Sequence, residues 1–301
     1  MADRSEQYIG SLLGLGLADA LGAPYEGWST ESSPWKPMPM TRRGTLLYTD
    51  DTDMAIGSAE SIVACGAFSV DHMALHWAKR AEPARGYGGG AIRCLENITR
   101  GMPWRDARFS IYKAGSYGNG AAMRVAPIAL LFANDKDALD DAVRLASSVT
   151  HAHPIGIQGA LIIAHAIAAA LKTNDGEAIF AEVMEEPWDT THEQRMNIAY
   201  GMLGEIPDHK EVASVLGNGI GAHESVTSAL LIACSFIDRP FADMFGYIVS
   251  VGGDVDTIGA MAGSVWGAAR GCSALPDPPL SFLEDMETLK YLALAIYQLA
   301  S

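Results

Sequence analysis

Two short acidic segments, separated by about two hundred residues, constrain the fold of this chain more than any other feature. The first acidic turn, residues 49–54, reads Thr-Asp-Asp-Thr-Asp-Met, and the second acidic turn, residues 252–257, reads Gly-Gly-Asp-Val-Asp-Thr. Each turn stands immediately before an apolar run with helical spacing, so each can present several oxygen ligands where a helix begins. If the fold brings the two turns together, they form a site for two metal ions.

The spacing of the acidic residues favours metal ligation over simple helix capping, which is the alternative for either turn alone. Asp254 and Asp256 would face different sides of a regular helix, so we expect a non-helical turn in which they can share one ion. Gly252 and Gly253 supply the backbone freedom for that turn. A cap needs one oxygen acceptor, whereas each turn offers at least three. Carboxylate and hydroxyl oxygens indicate magnesium or manganese, with calcium as a further candidate and zinc disfavoured.

The composition indicates a single acidic domain, residues 1–301, that binds neither nucleic acid nor membrane. Asp and Glu number 36 against 21 Lys and Arg, and the net charge of −15 leaves no basic surface to follow a phosphate backbone. The four cysteines are widely spaced, so we expect a reducing, cytoplasmic location. The least polar stretch, residues 154–171, contains Gln158 and His165 and barely reaches spanning length, so we predict a core helix there.

Helical periodicity recurs along the chain and alternating strand patterns are scarce, so we predict an all-α protein. The glycine and alanine within these patterns would allow close packing in a compact multi-helix domain. Besides helices at the N-terminus and after the first acidic turn, the patterns predict helices over residues 71–80, 89–99, 119–131, 135–147, 155–171, 193–203, 224–236, 241–249 and 282–299.

The longest irregular segment, residues 29–45, contains Pro34, Pro37 and Pro39. A loop of this length is usually either functional or poorly ordered. Because it joins Glu26 to the first acidic turn, we predict that it covers the metal site as a lid and that Glu26 moves with it.

Five motifs of the chain occur together, and in the same order, in one known family. They are residues 14–22 (Gly-Leu-Gly-Leu-Ala-Asp-Ala-Leu-Gly), the first acidic turn, residues 115–124 (Gly-Ser-Tyr-Gly-Asn-Gly-Ala-Ala-Met-Arg), Thr150 with His151, and the second acidic turn. Over nearly its whole length the chain resembles the ADP-ribosylglycohydrolase family, which includes dinitrogenase-reductase-activating glycohydrolase and the animal ADP-ribosylhydrolases. The resemblance implies an all-α fold with a binuclear magnesium or manganese centre that removes ADP-ribose from modified proteins.

By this resemblance, the two acidic turns would hold two magnesium or manganese ions. Val255 stands where the family usually has a small or hydroxylated residue, and as the intervening position it should point away from the ions. Glu26 resembles the movable catalytic glutamate of the branch that acts on oxygen-linked ADP-ribose, with a surface carboxylate at a helix end as the alternative. The metal ligands that the motifs imply are Thr49, Asp50, Asp51, Asp254, Asp256 and Thr257.

Two glycine-rich segments are candidates for substrate binding. We expect residues 115–120 to feed a helix, so that their backbone N–H groups face a diphosphate while Ser116 and Asn119 add hydrogen bonds. Residues 85–90 are a second candidate for a segment whose backbone approaches the ligand closely. The alternative interpretation is that they form an ordinary flexible turn. His151 could bond a phosphate or a ribose, or serve as a structural donor. The predicted substrate-binding residues are Tyr87, Gly88, Gly115, Ser116, Tyr117, Gly118, Asn119 and His151.

Cleavage of a glycosidic bond at the anomeric carbon of a ribose needs an activated water and a leaving group that can be protonated. Two divalent ions suit this reaction, and Glu26 or Asp51 would transfer the proton. An ADP-ribosylated protein would be the partner and ADP-ribose the product. Arginine-linked adducts and oxygen-linked adducts, including those on serine, both fit the motifs. A non-catalytic ADP-ribose-binding protein and a di-metal phosphoesterase are the alternatives, although the phosphoesterase normally uses histidine ligands.

Overall fold

The computed structural model describes residues 3–27, 29, 42 and 44–300, and within them the chain folds into α-helices joined by short 3₁₀ turns and loops. The predicted all-α fold is therefore confirmed. The predicted lid, residues 29–45, lies almost wholly outside the described residues and stays a prediction. The α-helices are α1 (Arg4–Gly22), α2 (Asp50–Cys65), α3 (Val70–Arg80), α4 (Gly89–Thr99), α5 (Trp104–Ala107), α6 (Ala126–Leu131), α7 (Lys136–Ser148), α8 (Pro154–Ala170), α9 (Gly176–Met184), α10 (Thr190–Gly201), α11 (His209–Val215), α12 (Ala222–Ser235), α13 (Phe241–Val251), α14 (Val255–Arg270) and α15 (Met286–Ala300).

Most predicted helices lie close to their predicted bounds, but three differences stand out. The segment predicted as one helix over residues 119–131 is a 3₁₀ turn, Asn119–Ala121, followed after a break by α6. Pro127 explains the break, because its ring nitrogen cannot donate the hydrogen bond that would continue a helix from the preceding turn. The helix predicted from residue 282 begins only at Met286. Three short helices, α5, α9 and α11, lie where the periodicity predicts none.

α8 lies inside the helical domain, in contact with α7, α9, α12 and α14. From Gly159 to its end, every residue of α8 except His165 is buried. This burial on all sides confirms the core helix predicted for residues 154–171. In the part of the chain that the structure describes, no helix is both long enough and apolar enough to cross a membrane.

α1 and α14 run antiparallel with their backbones in contact. A Cβ atom added to Gly14 would overlap the carbonyl oxygen of Gly263, so neither helix could approach the other this closely with a larger residue there. At the end of α1, a Cβ added to Gly22 would lie 2.6 Å from the Cα atom of Asp256. The packing therefore places the C-terminal end of α1 directly beside the second acidic turn.

Replacing Gly14 with alanine should destabilise the protein, because the added methyl group has to displace one helix from the other. We expect the free energy of unfolding to fall by about 2 kcal/mol or more. Gly246 is the matched control: it also lies within a helix, α13, but a Cβ added there meets no atom within 4 Å. Gly246→Ala should be neutral or stabilise by up to about 1 kcal/mol. Urea unfolding followed by circular dichroism measures both variants, and equal losses would contradict the contact.

Candidate active site

The first acidic turn forms the N-terminal end of α2. Thr49 is the N-cap: its backbone is extended, and its hydroxyl oxygen accepts a hydrogen bond from the backbone N–H of Asp51 over 3.3 Å. Asp50 and Asp51 follow in the first turn of the helix, where the helix dipole stabilises negative charge. The turn therefore caps its helix, and it also presents two carboxylates where the helix begins.

Asp19 of α1 fixes the position of this turn. Its buried carboxylate accepts hydrogen bonds from the hydroxyl groups of Thr49 and Thr52, at 2.8 and 2.5 Å, and from their backbone N–H groups, at 3.1 and 3.0 Å. Burial raises the pKa of Asp19 to about 6, although these hydrogen bonds act in the opposite direction. The site prediction omits Asp19, yet it is the single charged residue within the motif of residues 14–22. A lone carboxylate in an apolar helix is a sequence signal for a buried, fully bonded group.

The second acidic turn differs from its prediction, because Asp256 belongs to a helix. α14 begins at Val255, so Asp254 is the residue before the helix and Asp256 lies in its first turn. Both side chains can still face the beginning of the helix, since side chains in a first turn lean toward the N-terminus. Gly252 and Gly253 have φ angles of 70° and 76°, and this confirms the predicted need for glycine in the turn.

The two acidic turns meet in the fold. The hydroxyl group of Thr257 donates to Oδ1 of Asp51 over 3.4 Å, although 206 residues separate the two along the chain. The other oxygen of Asp51, Oδ2, has no hydrogen-bond partner, and the residue is only 2% exposed. A buried carboxylate oxygen without a partner is unfavourable unless a donor or a cation satisfies it.

Negative charge accumulates at this junction. Burial, and then the charge of Asp19, raises the pKa of Asp50 to about 7. The pKa values of Asp51, Asp254 and Asp256 are raised as well, chiefly by burial. In the described residues, no Lys or Arg forms an ion pair with any of these four carboxylates. Within the same residues, no group of three or more His, Cys, Asp and Glu side chains is arranged to enclose a metal ion. The oxygen donors thus suit a divalent cation, but the distances between the described side chains do not form a complete metal-binding site.

A cleft of about 220 Å³ adjoins the two acidic turns. Glu26 stands at this cleft with its side chain exposed. The next residue, Gly27, donates its backbone N–H to the carbonyl oxygen of Gly253 over 2.8 Å, which ties the segment carrying Glu26 to the second acidic turn. All six predicted metal ligands line the cleft: Thr49, Asp50, Asp51, Asp254, Asp256 and Thr257.

The loop of residues 115–120 forms one wall of the cleft, but it does not feed an α-helix as predicted, since only the 3₁₀ turn follows it. At least three of its backbone N–H groups are bonded within the protein. That of Gly115 donates to the carbonyl of Tyr112 over 2.9 Å, that of Gly118 donates to the hydroxyl oxygen of Ser116 over 3.3 Å, and that of Asn119 donates to the carbonyl of Ile220 over 3.0 Å. The side-chain amide of Asn119 donates to Asp254 over 2.5 Å, so this loop also supports the second acidic turn. The predicted substrate-binding residues that line the cleft are Gly88, Ser116, Gly118, Asn119 and His151.

The other three predicted substrate-binding residues do not line the cleft. Tyr87 is buried and its hydroxyl group donates to Asp53 over 2.6 Å, so it supports α2 from the side. Gly115 has a φ angle of 83° and packs against the backbone of His153, which leaves no room for a side chain. Tyr117 points outward and is 55% exposed, with its ring edge-on to that of His153 at 6.0 Å.

The site prediction omits a third glycine-rich segment, residues 217–221 (Gly-Asn-Gly-Ile-Gly). Its Ile220 lines the cleft and is 71% exposed. Gly221 forms an antiparallel β-bridge with Gly118, so the segment lies against the loop of residues 115–120. Alternating glycines indicate a segment whose backbone can approach another part of the chain closely, so this pattern is a sequence signal for the segment. Tyr112 is a further lining residue without a sequence signal that we can identify.

His151 contributes a neutral ring to the cleft. Burial, together with the nearby charge of Arg124, lowers its pKa to about 3. Its Nδ1 atom lies 2.7 Å from the hydroxyl oxygen of Thr150. A neutral imidazole has one donor and one acceptor nitrogen, so His151 can bind a polar ligand without adding charge to the site.

Known proteins resemble this chain along its whole length. ADP-ribosylhydrolase ARH3 of Mus musculus is 32% identical over 97% of this chain and 91% of the mouse protein, and ADP-ribosylhydrolase ARH3 of Homo sapiens is 31% identical over 97% and 93%. The uncharacterized protein YegU of Escherichia coli is 30% identical over 92% of this chain and 91% of its own. A solved structure described as an ADP-ribosylglycohydrolase-related protein complex superimposes with a TM-score of 0.77 and 26% identity, covering 100% of both chains.

The sequence pattern of one family, described as ADP-ribosylglycohydrolase, matches residues 1–301. Together with the relatives at about 30% identity, this match establishes the family. The chain belongs to the ADP-ribosylglycohydrolase family.

Proposed function

We propose that this protein removes ADP-ribose from ADP-ribosylated proteins by hydrolysing the glycosidic bond at the anomeric carbon of the ribose. The observation that carries the proposal is the meeting of the two acidic turns beside Glu26, which gathers five carboxylates at one cleft. Relatives named ADP-ribosylhydrolase support the substrate class. The partner is then an ADP-ribosylated protein, the product is ADP-ribose, and the widely spaced cysteines favour the cytoplasm as the location.

Two magnesium or manganese ions fit the residues of this site. The donors are hard oxygens, and the unpartnered oxygen of Asp51 lies among carboxylates that no described basic side chain neutralises. When bound, the ions would supply positive charge that polarises ribose hydroxyls and a water molecule. The residues that would hold them are Thr49, Asp50, Asp51, Asp254, Asp256 and Thr257.

Glu26 is our first choice for the residue that transfers a proton. Its exposed carboxylate can exchange protons with solvent while it faces a ligand in the cleft. The hydrogen bond from Gly27 to Gly253 keeps it close to the second acidic turn. Asp51 is the alternative, but it is buried and bonded to Thr257, an arrangement better suited to holding a cation.

The ADP portion of the substrate fits the side of the cleft formed by residues 115–120. No Lys or Arg of the described residues lines the cleft, so a diphosphate there has to be met by neutral donors and by bound cations. Ser116 and His151 offer such donors. The exposed ring of Tyr117, just outside the cleft, offers a flat apolar face for adenine.

A panel of ADP-ribosylated peptides tests the function and decides the linkage. Peptides modified on arginine, serine or threonine are incubated with the protein and magnesium or manganese, and the products are identified by mass spectrometry. We expect free ADP-ribose from at least one linkage. AMP as the product would indicate a di-metal phosphoesterase instead, and binding of ADP-ribose without turnover of any peptide would indicate a binding protein.

Magnesium or manganese should raise the melting temperature of the protein, because a ligand that binds only the folded state stabilises it. At saturating concentration we expect roughly 5 °C. The measurement is made at about pH 8, above the pKa of about 7 for Asp50, so that protons compete less with cations at that carboxylate. Asp256→Asn should abolish the shift. Asp243→Asn, which alters an exposed carboxylate in the first turn of α13, should preserve it, and equal shifts in both variants would contradict the proposed ligand set.

Glu26→Gln and Asp256→Asn should separate proton transfer from metal binding. Loss of a general acid or base lowers kcat by about 10²–10⁴. We expect that loss for Glu26→Gln, with ADP-ribose binding and the thermal shift by metal unchanged. Asp256→Asn should impair turnover and metal binding together. If Glu26→Gln keeps wild-type turnover on arginine-linked and serine-linked peptides while Asp256→Asn abolishes it, a carboxylate of the acidic turns, such as Asp51, transfers the proton.

A further inference from the structure

Arg124 is a buried cation without a carboxylate partner in the described residues. It is 2% exposed, and its guanidinium lies 4.1 Å from the centre of the Trp77 ring. It donates to the sulfur of Met54 at 3.2 Å, to the carbonyl of Ala146 at 3.4 Å and to the hydroxyl oxygen of Thr150 at 2.7 Å. Burial lowers the pKa of Arg124 to about 10, so it stays charged at neutral pH. A buried charge of this kind is unfavourable for stability, which points to a role beyond packing.

Thr150 joins Arg124 to His151 and fixes the direction of the hydrogen bonds. A guanidinium has only donors, so the hydroxyl oxygen of Thr150 accepts from Arg124. The hydrogen of that hydroxyl is then directed to Nδ1 of His151, 2.7 Å away, which is the other polar atom in contact with it among the described residues. This arrangement favours Nδ1 as the acceptor, with the single hydrogen of the neutral imidazole on Nε2, because the hydroxyl hydrogen then also has a partner.

The Nε2 atom of His151 faces the wall formed by residues 115–120. A Cβ added to Gly120 would lie 2.8 Å from Nε2, and one added to Gly118 would lie 3.5 Å from it. The hydroxyl oxygen of Ser116 lies 3.4 Å from the same point at Gly118. Small residues therefore leave Nε2 and the Ser116 hydroxyl group together at the cleft, as two neutral groups able to donate to one anionic ligand.

We propose that Arg124 is a positioning residue that acts through Thr150 to hold His151 as the Nε2–H tautomer, so that the cleft presents a fixed hydrogen-bond donor to the diphosphate or ribose of ADP-ribose. The identity of the ligand rests on the proposed function, whereas the tautomer is a property of the protein alone. With the hydrogen on Nδ1 instead, the Thr150 hydroxyl would lose its acceptor and the lone pair of Nε2 would face the oxygens of the ligand. Arg124 disfavours this reversal, because it cannot accept the hydroxyl hydrogen, which would then have no acceptor among the contacts of Thr150 in the described residues.

Thr150→Val and Thr150→Ser form a matched pair for the test, since valine keeps the shape of threonine and serine keeps the hydroxyl group. Long-range ¹H–¹⁵N correlation spectra of the free protein, labelled with ¹⁵N-histidine, report which ring nitrogen carries the hydrogen. The His151 signals are those lost in His151→Gln. Wild type and Thr150→Ser should show a protonated Nε2 and an unprotonated Nδ1, whereas Thr150→Val should show a mixture of the two tautomers.

Thr150→Val and Thr150→Ser should also differ in their affinity for ADP-ribose, measured by calorimetry. Only the fraction of Thr150→Val molecules with the hydrogen on Nε2 can donate to the ligand, so an even mixture of tautomers should weaken binding by about twofold, whereas Thr150→Ser should bind as tightly as wild type. Arg124→Lys, which keeps a charged donor, should retain the wild-type tautomer, whereas Arg124→Met should give a mixture.

Hydrogen on Nδ1 in the wild-type spectrum would overturn the proposal, and this result needs no variant to fold. Identical spectra and affinities for wild type and Thr150→Val would overturn it as well. If the tautomer is confirmed but no ADP-ribosylated peptide is cleaved, the proposed function fails and the positioning role of Arg124 stands.

Discussion

The backbone contact between α1 and α14 is the constraint on which the site depends. α1 carries Asp19, which holds the first acidic turn, and α14 carries Asp256 of the second. The separation of the two helices therefore sets the separation of the two turns. Gly14 and Gly263 let the helices touch, so the relative position of the acidic residues is determined by close-packed backbone and not by contacts among the acidic residues themselves.

This frame allows the protein to hold like charges together before any ligand arrives. The N-terminal ends of α2 and α14 offset part of the repulsion through their dipoles, and hydrogen bonds from Thr49, Thr52 and Asn119 hold Asp19 and Asp254 in place. Burial, and after it the remaining repulsion, raises the pKa values of the buried carboxylates. Stability is thereby reduced at the place where preorganised negative charge would favour the proposed cations.

Local sequence predicted the helical class, most helices and the oxygen-rich character of both acidic turns, because periodicity and dense oxygen donors are short-range signals. That the two turns meet was implied by the family resemblance. α9 and α11 are too short for a clear period, and only their capping residues, Asp175 and Asp208, indicate them. The support from Asp19 was missed because its partners lie about thirty residues further along the chain. The wall formed by Ile220 was missed because it depends on pairing with a loop about one hundred residues away, which only the tertiary fold determines.

That pairing has a consequence for how the cleft can change. The bridge between Gly118 and Gly221, with the backbone bonds from Asn119 to Ile220 and from Ala222 to Tyr117, makes one continuous piece of two loops from distant parts of the chain. Neither loop can be lengthened or shortened without displacing the other. We therefore expect relatives that accept a wider ligand to differ in both loops. During evolution, a change in the length of one loop should be accompanied by a change in the other.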